Sequence, residues 1–315
     1  MEVTPLVSTR TLFPVYDQLR VEYDAASLAV WCFLNAYPRP CMTLQVLKGL
    51  KDFQARLRTV LRDPLLSREY PIKYMVVASS HPQFFSLGGD LALFRRLIQQ
   101  DDKESLRAYA HDCVNLIFAN ATNLDAPLTT VAVVQGDALG GGFEAALSCN
   151  VIIAEHSARM GFPEILFNLV PGMGAYELLP RRTHPNRAEE LMTSGHNYSA
   201  EDLRQFGVVD MVVPDGEGQQ AARAFMRRSQ RQQNARQLLQ NFRARSYPIS
   251  RQVMIDHTNL WVDAAMNLTG TELANMERLI AHQDSANTLS GKSAHVVTLD
   301  TDGRLRQQTE LSERG

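Results

Sequence analysis

Between about residues 23 and 213, short apolar runs of β type alternate with longer segments whose apolar residues recur at helical spacing. That alternation predicts an α/β layer fold. Met75-Val-Val-Ala-Ser79 predicts a buried strand, and the turn at residues 86–90 ends it. A helix follows, with Leu91, Leu93, Phe94 and Leu97 on one face. Residues 128–134 predict another strand, whose glycine turn at 136–142 leads into a helix carrying Glu144. Residues 151–154 predict a third. Strand, glycine turn and helix therefore occur twice in order, and each such turn can aim backbone amides at a ligand. No internal repeat is visible in the residues themselves.

The texture changes at Pro214-Asp-Gly-Glu-Gly, where the pattern places its main boundary. From 219 to about 282 everything reads as helix. The stretch 219–247 holds seven arginines and no acidic residue. A last helix is predicted to bury one face made by Trp261, Ala265, Leu268, Leu273, Met276, Leu279 and Ile280. The predicted organisation is an N-terminal arm or edge segment over 1–20, a catalytic core over 21–215 and a helical region over 216–285. A polar, unpatterned, mobile tail is expected over 286–315.

Composition narrows the function classes. The chain has 315 residues, 45% of them hydrophobic and 21% charged, with a formal net charge of −2. That balance argues against nucleic acid as the main ligand, because phosphate binding needs a basic excess. No apolar run is long enough to span a bilayer, and the first residues lack the charged-then-apolar order of a signal peptide. Cys32, Cys41, Cys113 and Cys149 are scattered without metal-ligand spacing. They read as reduced, mostly buried thiols of a cytoplasmic protein.

The candidate chemistry lies in two carboxylates with apolar neighbours. Glu144 follows Gly136-Asp-Ala-Leu-Gly-Gly-Gly-Phe, and Glu164 follows Met160-Gly-Phe-Pro. Burying a carboxylate is costly, and two converging on one pocket can divide the work of acid and base. The bland reading of Glu144 alone is a solvated helix carboxylate. The glycines are neither the dinucleotide GxGxxG nor a P-loop: Gly291-Lys-Ser293 has Ala286 where the first loop glycine is due. GxSxG and HExxH are absent, and the eight histidines have no ligand spacing. No metal site or organic cofactor is expected.

Together, Phe85-Ser-Leu-Gly-Gly-Asp-Leu91, Gly136 through Glu144, Phe162-Pro-Glu164-Ile-Leu and Pro171-Gly172-Met-Gly174 resemble the crotonase (enoyl-CoA hydratase/isomerase) superfamily. Within it, Glu164-Ile-Leu-Phe-Asn-Leu-Val-Pro-Gly-Met-Gly-Ala-Tyr-Glu-Leu is most similar to the synthases of diffusible signal factors, the cis-2-unsaturated fatty acids of bacterial quorum sensing. The resemblance implies the ClpP/crotonase-like α/β fold, stacked ββα units with a C-terminal helical region that builds a trimer or a dimer of trimers. It implies Glu144 and Glu164 as catalytic residues and the amides of Gly89 and Gly141 as an oxyanion hole. It places Gly88, Leu139, Gly140, Gly172 and Met173 around the substrate, with Trp261 and Leu279 along the acyl tail. The implied reaction dehydrates a 3-hydroxyacyl thioester to a cis-2-enoyl thioester and hydrolyses it to the free acid.

One departure bears on the donor. Arg39-Pro-Cys-Met-Thr-Leu-Gln does not follow the family's usual CoA-binding segment, which favours an acyl carrier protein over acyl-CoA. Arg223, Arg227, Arg228, Arg231 and Arg236 are the candidate docking face for that acidic partner, against the plainer reading of a solvated helix. The resemblance also implies a sensor kinase's receiver domain as a binding partner. Two rival functions remain open: an enoyl-CoA hydratase of fatty-acid degradation, and a non-catalytic protein that binds acyl thioesters or a signalling partner.

Overall fold

A computed structural model describes residues 12–286 and the backbone of 295–299 and 305–309. The strands are β1 Leu19–Asp24, β2 Ala29–Leu34, β3 Tyr74–Ser79, β4 Phe84–Ser86, β5 Thr129–Val134, β6 Asp137–Leu139, β7 Val151–Glu155, β8 Arg159–Gly161, β9 Asn197–Ser199 and β10 Met211–Val213. Six of them form one sheet in the order β1-β2-β3-β5-β7-β10. It is parallel except for edge strand β1, which runs antiparallel to β2. A smaller sheet runs β4-β6-β8-β9, parallel from β4 to β8.

The repetition the residues hide is topological. Three consecutive units, β3–β4, β5–β6 and β7–β8, each send one strand to each sheet. After the second strand of each, the chain turns into a helix. These are α3 Leu91–Gln99, α5 Gly141–Leu147 and a 3-10 segment, Pro163–Phe167. Gly89, Gly141 with Glu144, and Glu164 thus occupy equivalent points of successive units. The fold brings to one place what the sequence spreads over some eighty residues.

The predicted strands and first helix are found where the apolar pattern put them. β3 is buried throughout, as expected of a parallel strand covered on both faces. α3 buries Leu91, Leu93, Phe94 and Leu97. The remaining helices up to the boundary at Pro214 are α1 Leu44–Arg62, α2 Pro64–Glu69, α4 Lys103–Ala121, α6 Ala175–Leu178, α7 Pro185–Thr193 and α8 Ala200–Gln205. Beyond it come α9 Gly218–Gln230, α10 Gln233–Ser246, α11 Arg251–Met266 and α12 Gly270–Ser285.

The structure corrects several expectations. The single last helix is two: a capping box between Thr269 and Glu272 starts α12 afresh, so Trp261 and Leu279 lie on different helices. Residues 1–11 of the expected arm lie outside the described residues. Of the rest, Leu12 and Phe13 are buried and Tyr16 donates to Asp52 Oδ2 at 2.8 Å, while Val15 is exposed. In the expected unpatterned tail, β11 His295–Leu299 and β12 Leu305–Thr309 pair antiparallel. The β-branched run Val296-Val297-Thr298 is the signal in the residues.

The arginine helix lies on the wrong side of the sheet for the expected carrier-docking role at the site. Side chains alternate along β2, so Trp31 and Phe33 face one way and Cys32 and Leu34 the other. Ala222, Phe225 and Met226 of α9 pack on the Trp31 side, whereas the cavity described below opens on the Cys32 side. Arg223 is engaged locally, with Nε 3.1 Å from Asp24 Oδ2 and its guanidinium over the Trp31 ring. Arg236 likewise covers Phe225. Arg227, Arg228 and Arg231 are exposed.

Candidate active site

Glu144 lies in the first turn of α5 and is 1% exposed. Its Oε1 accepts hydrogen bonds from the backbone amides of Met173 at 2.9 Å and Ala175 at 3.0 Å. Gly174 lies between those donors with φ of 132°. A side chain is strained at that angle, so glycine lets both amides turn toward one oxygen. Burial pushes the carboxyl up to about 7, with the amides of Ala175 and Met173 pulling against it.

Glu164 has a different setting. It lies in the 3-10 segment entered through Pro163, and the left-handed Asn168 (φ 62°) ends that segment. Its Oε2 is buried and has no hydrogen-bond partner among the described residues. Burial, and then the charge of Glu144, push this carboxyl up to about 8. Gly140, with φ of 50°, lies directly beneath it, and a Cβ there would overlap Glu164 Oε1. That glycine is needed for the close approach of the carboxyl as well as for the turn.

The two glycine turns line the same cavity as the two carboxyls. A Cβ on Gly141 would lie 3.5 Å from the amide nitrogen of Gly89, so the two positions face each other. Neither amide donates to an acceptor among the described residues. Gly141 is also the first residue of α5, where unpaired amides favour negative charge. Gly88 holds φ of 84°, and a Cβ on it would come within 2.7 Å of Leu139 O. Two free amides facing one space are the donors an enolate oxygen needs.

All these groups line one cavity. Gly88, Gly89, Gly140, Gly141, Glu144, Glu164, Gly172, Met173 and Trp261 are in its wall. Leu139 and Leu279 are not. Leu139 packs with Phe84, Leu87 and Ala286, and Leu279 is in the main core. Trp261 closes the site from α11: its Nε1 donates to Val170 O at 2.9 Å, and its ring lies against Gly172 so closely that a Cβ there would overlap it. Gly172 therefore seats the Trp261 ring on the cavity wall.

The sequence reading missed the inner wall. From the glutamates the cavity extends among apolar side chains of β2, β3, α1 and α4, including Leu34, Leu47, Phe53, Met75 and Ile117. These residues read simply as core in one dimension, and only the cavity distinguishes them. The amides of Met173 and Ala175 were missed as well, since a backbone donor leaves no mark in residue type. Among the described residues no group of three or more His, Cys, Asp or Glu side chains is placed to hold a metal. No helix there is long and apolar enough to cross a membrane.

A family model described as enoyl-CoA hydratase/isomerase matches residues 50–264. The fatty acid oxidation complex subunit alpha of Idiomarina loihiensis is 37% identical over 138 residues, 44% of this chain and 18% of that one. The same-named subunit of Pseudomonas aeruginosa is 34% identical over 154 residues, 49% of this chain and 21% of that one. The chain thus covers only a small part of these relatives' length. Among solved structures, Pseudomonas aeruginosa DspI is 25% identical with a TM-score of 0.61, covering 76% of this chain and 86% of that one. An enoyl-CoA hydratase from Bacillus halodurans, 18% identical, has a TM-score of 0.70 over 84% of this chain and 100% of that one, which shows the shared fold.

Proposed function

The chain belongs to the enoyl-CoA hydratase/isomerase family, and from that premise we propose that it dehydrates 3-hydroxyacyl thioesters to cis-2-enoyl thioesters and hydrolyses them to free acids, as diffusible signal factor synthases do. The observation that carries the reading is the pairing of two buried carboxyls of unequal setting with two free amides on one cavity wall. The thioester carbonyl lies between the amides of Gly89 and Gly141, which stabilise its oxygen as the α-proton leaves. One such donor is typically worth about 2.7–4 kcal/mol of barrier. Glu144, whose charged form is favoured by two amides, is the base at the α-carbon. Glu164, raised furthest and with its Oε2 unpartnered among the described residues, keeps the proton and delivers it to the departing β-hydroxyl.

Hydrolysis uses the same parts in a second pass. A water activated by a glutamate adds to the carbonyl, the amides hold the tetrahedral oxyanion, and the thiol leaves with a proton. The acyl tail occupies the apolar extension toward Phe53 and Met75. The carrier protein as donor rests on the resemblance of the sequence, since the α9 arginines lie across the sheet from the cavity. A receiver-domain partner and a trimeric assembly rest on it too.

A second reading has its own support. The curated relatives are fatty-acid oxidation subunits, which favours hydration of trans-2-enoyl-CoA, the same chemistry in reverse. Purified protein given medium-chain 3-hydroxyacyl carrier protein, 3-hydroxyacyl-CoA and trans-2-enoyl-CoA, with products read by mass spectrometry, separates the two. A free cis-2-enoic acid supports the synthase. Hydration of the CoA ester without acid release supports the hydratase, and no turnover of any thioester rejects both.

A further inference from the structure

The family match ends at residue 264, yet the helix after it reaches both halves of the site. Gln283 of α12 is 2% exposed, and its Nε2 donates to Leu87 O at 3.0 Å and to Gly89 O at 2.8 Å. The Gly89 carbonyl belongs to the peptide that continues to Asp90, whose amide donates to Tyr109 Oη at 3.1 Å; that hydroxyl donates on to Met42 O at 2.6 Å. The preceding peptide, which carries the Gly89 amide itself, is held at its carbonyl: Met42 N donates to Gly88 O at 2.8 Å. Both peptides flanking Gly89 are thus pinned, and the one left free to point at a ligand is the Gly89 N–H.

The same helix holds the acid segment. Asn275 Nδ2 donates to Leu166 O at 3.0 Å, and Asn168 Nδ2 to Glu272 Oε1 at 3.5 Å. Eight residues of α-helix separate Asn275 from Gln283, a span of about 12 Å. At the far end, Arg39 pairs with both oxygens of Asp90, at 3.0 and 3.3 Å, and its Nε lies 3.7 Å from Asp284 Oδ1. Asp90 in turn caps α3. One rigid element therefore spans from the Glu164 segment to the Gly89 loop, two parts of the chain that no strand pairing joins directly.

We propose that Gln283 is a positioning residue for the oxyanion amide of Gly89, and that α12 is a strap fixing the distance between that amide and Glu164. The inference rests on the acyl-thioester reading above. A buried amide with both hydrogens on one loop is well suited to fix its orientation, because losing it leaves two carbonyls unpaired in the interior. Since misplacing reacting groups by about 1 Å costs on the order of 10²-fold, Gln283→Leu is expected to lower kcat about 10- to 100-fold with KM within about twofold.

The test combines turnover with two physical readouts on the full chain. With a thioester labelled at its carbonyl carbon, the infrared shift of the bound carbonyl reports polarisation by the two amides. It shrinks in Gln283→Leu and in Gln283→Glu, which places an acceptor against the two carbonyls. Asn275→Ala, which touches only the acid segment, lowers kcat without changing that shift. With glycine labelled at nitrogen, the Gly89 amide resonance moves in Gln283→Leu in the absence of any substrate. If no thioester binds the wild type, the functional reading fails, while the amide resonance still decides the positioning role. An unmoved Gly89 resonance in folded Gln283→Leu, or a full carbonyl shift with unchanged kcat, overturns the proposal. Gln283→Met serves where the leucine variant does not fold.

Discussion

The two glutamates occupy equivalent points of successive ββα units, yet the fold treats them differently. Glu144 stands in a helix and has one oxygen held by two amides. Glu164 stands in a short 3-10 segment with a buried oxygen that no described residue satisfies. Burial raises both, and like charge raises Glu164 further. One cavity thus sets two carboxyls apart in their hold on a proton: the amides of Met173 and Ala175 favour the ionised form of Glu144, while burial and the charge of Glu144 outweigh the backbone amide that acts on Glu164.

Removing either carboxyl is expected to have the largest effect. Glu144→Gln and Glu164→Gln are each expected to lower kcat by roughly 10²–10⁴-fold, the range for a lost general acid or base. Steady-state kinetics on the active thioester checks this, and a variant retaining more than a tenth of the activity removes that residue from the chemistry.

Displacing one carboxyl without deleting it has a smaller effect. Gly140→Ala puts a methyl where Glu164 Oε1 lies, at a left-handed position. Activity is expected to fall about 10²-fold, and stability by about 1–3 kcal/mol, from strain. Thermal melts beside kinetics separate the two losses. Gly172→Ala pushes Trp261 away. If Trp261 lines the acyl site as proposed, KM is expected to rise more than kcat falls, since such a contact is made in ground and transition states alike.

The pH dependence sharpens the comparison. Below about 7 Glu144 is protonated and the base is lost; above about 8 Glu164 ionises and the acid is lost. The kcat/KM profile is therefore a narrow bell between those limits, with a tenfold fall per pH unit outside them. Stability moves with the same protons. A carboxyl whose value rises on folding favours the protonated folded state, so its contribution is complete below the ordinary value of 4.5 and is lost as the pH rises through about 8. Glu164→Gln, neutral throughout, should thus melt above the wild type in alkaline solution, by ~1–3 kcal/mol, and match it in acid. Melts at several pH values check the crossover.

Much of this was legible along the chain, and the reasons are local. The continuous apolar run of β3 and the one-sided α3 follow from residue type, and the glycines before Glu144 announced a turn. What stayed hidden depends on juxtaposition. The ββα repetition has no echo in residue identity, because each unit meets its backbone demands with different side chains. Leu34, Phe53 and Met75 differ from ordinary core only in facing a cavity. Leu139 and Leu279 were expected at the substrate but pack elsewhere, and the arginines of α9 were read without knowing which face of the sheet they cover. Gln283 is one glutamine among many until its carbonyl partners are seen.

Between about pH 7 and 8 the site is expected to hold one proton and to keep it on Glu164. Infrared difference spectra between wild type and the Glu164→Gln and Glu144→Gln variants test it directly, through the stretch of a protonated carboxyl. Glu164→Gln is expected to remove a protonated-carboxyl band at a pH between about 7 and 8, and Glu144→Gln a carboxylate band instead. The reverse assignment, or no protonated band from either glutamate, would contradict it.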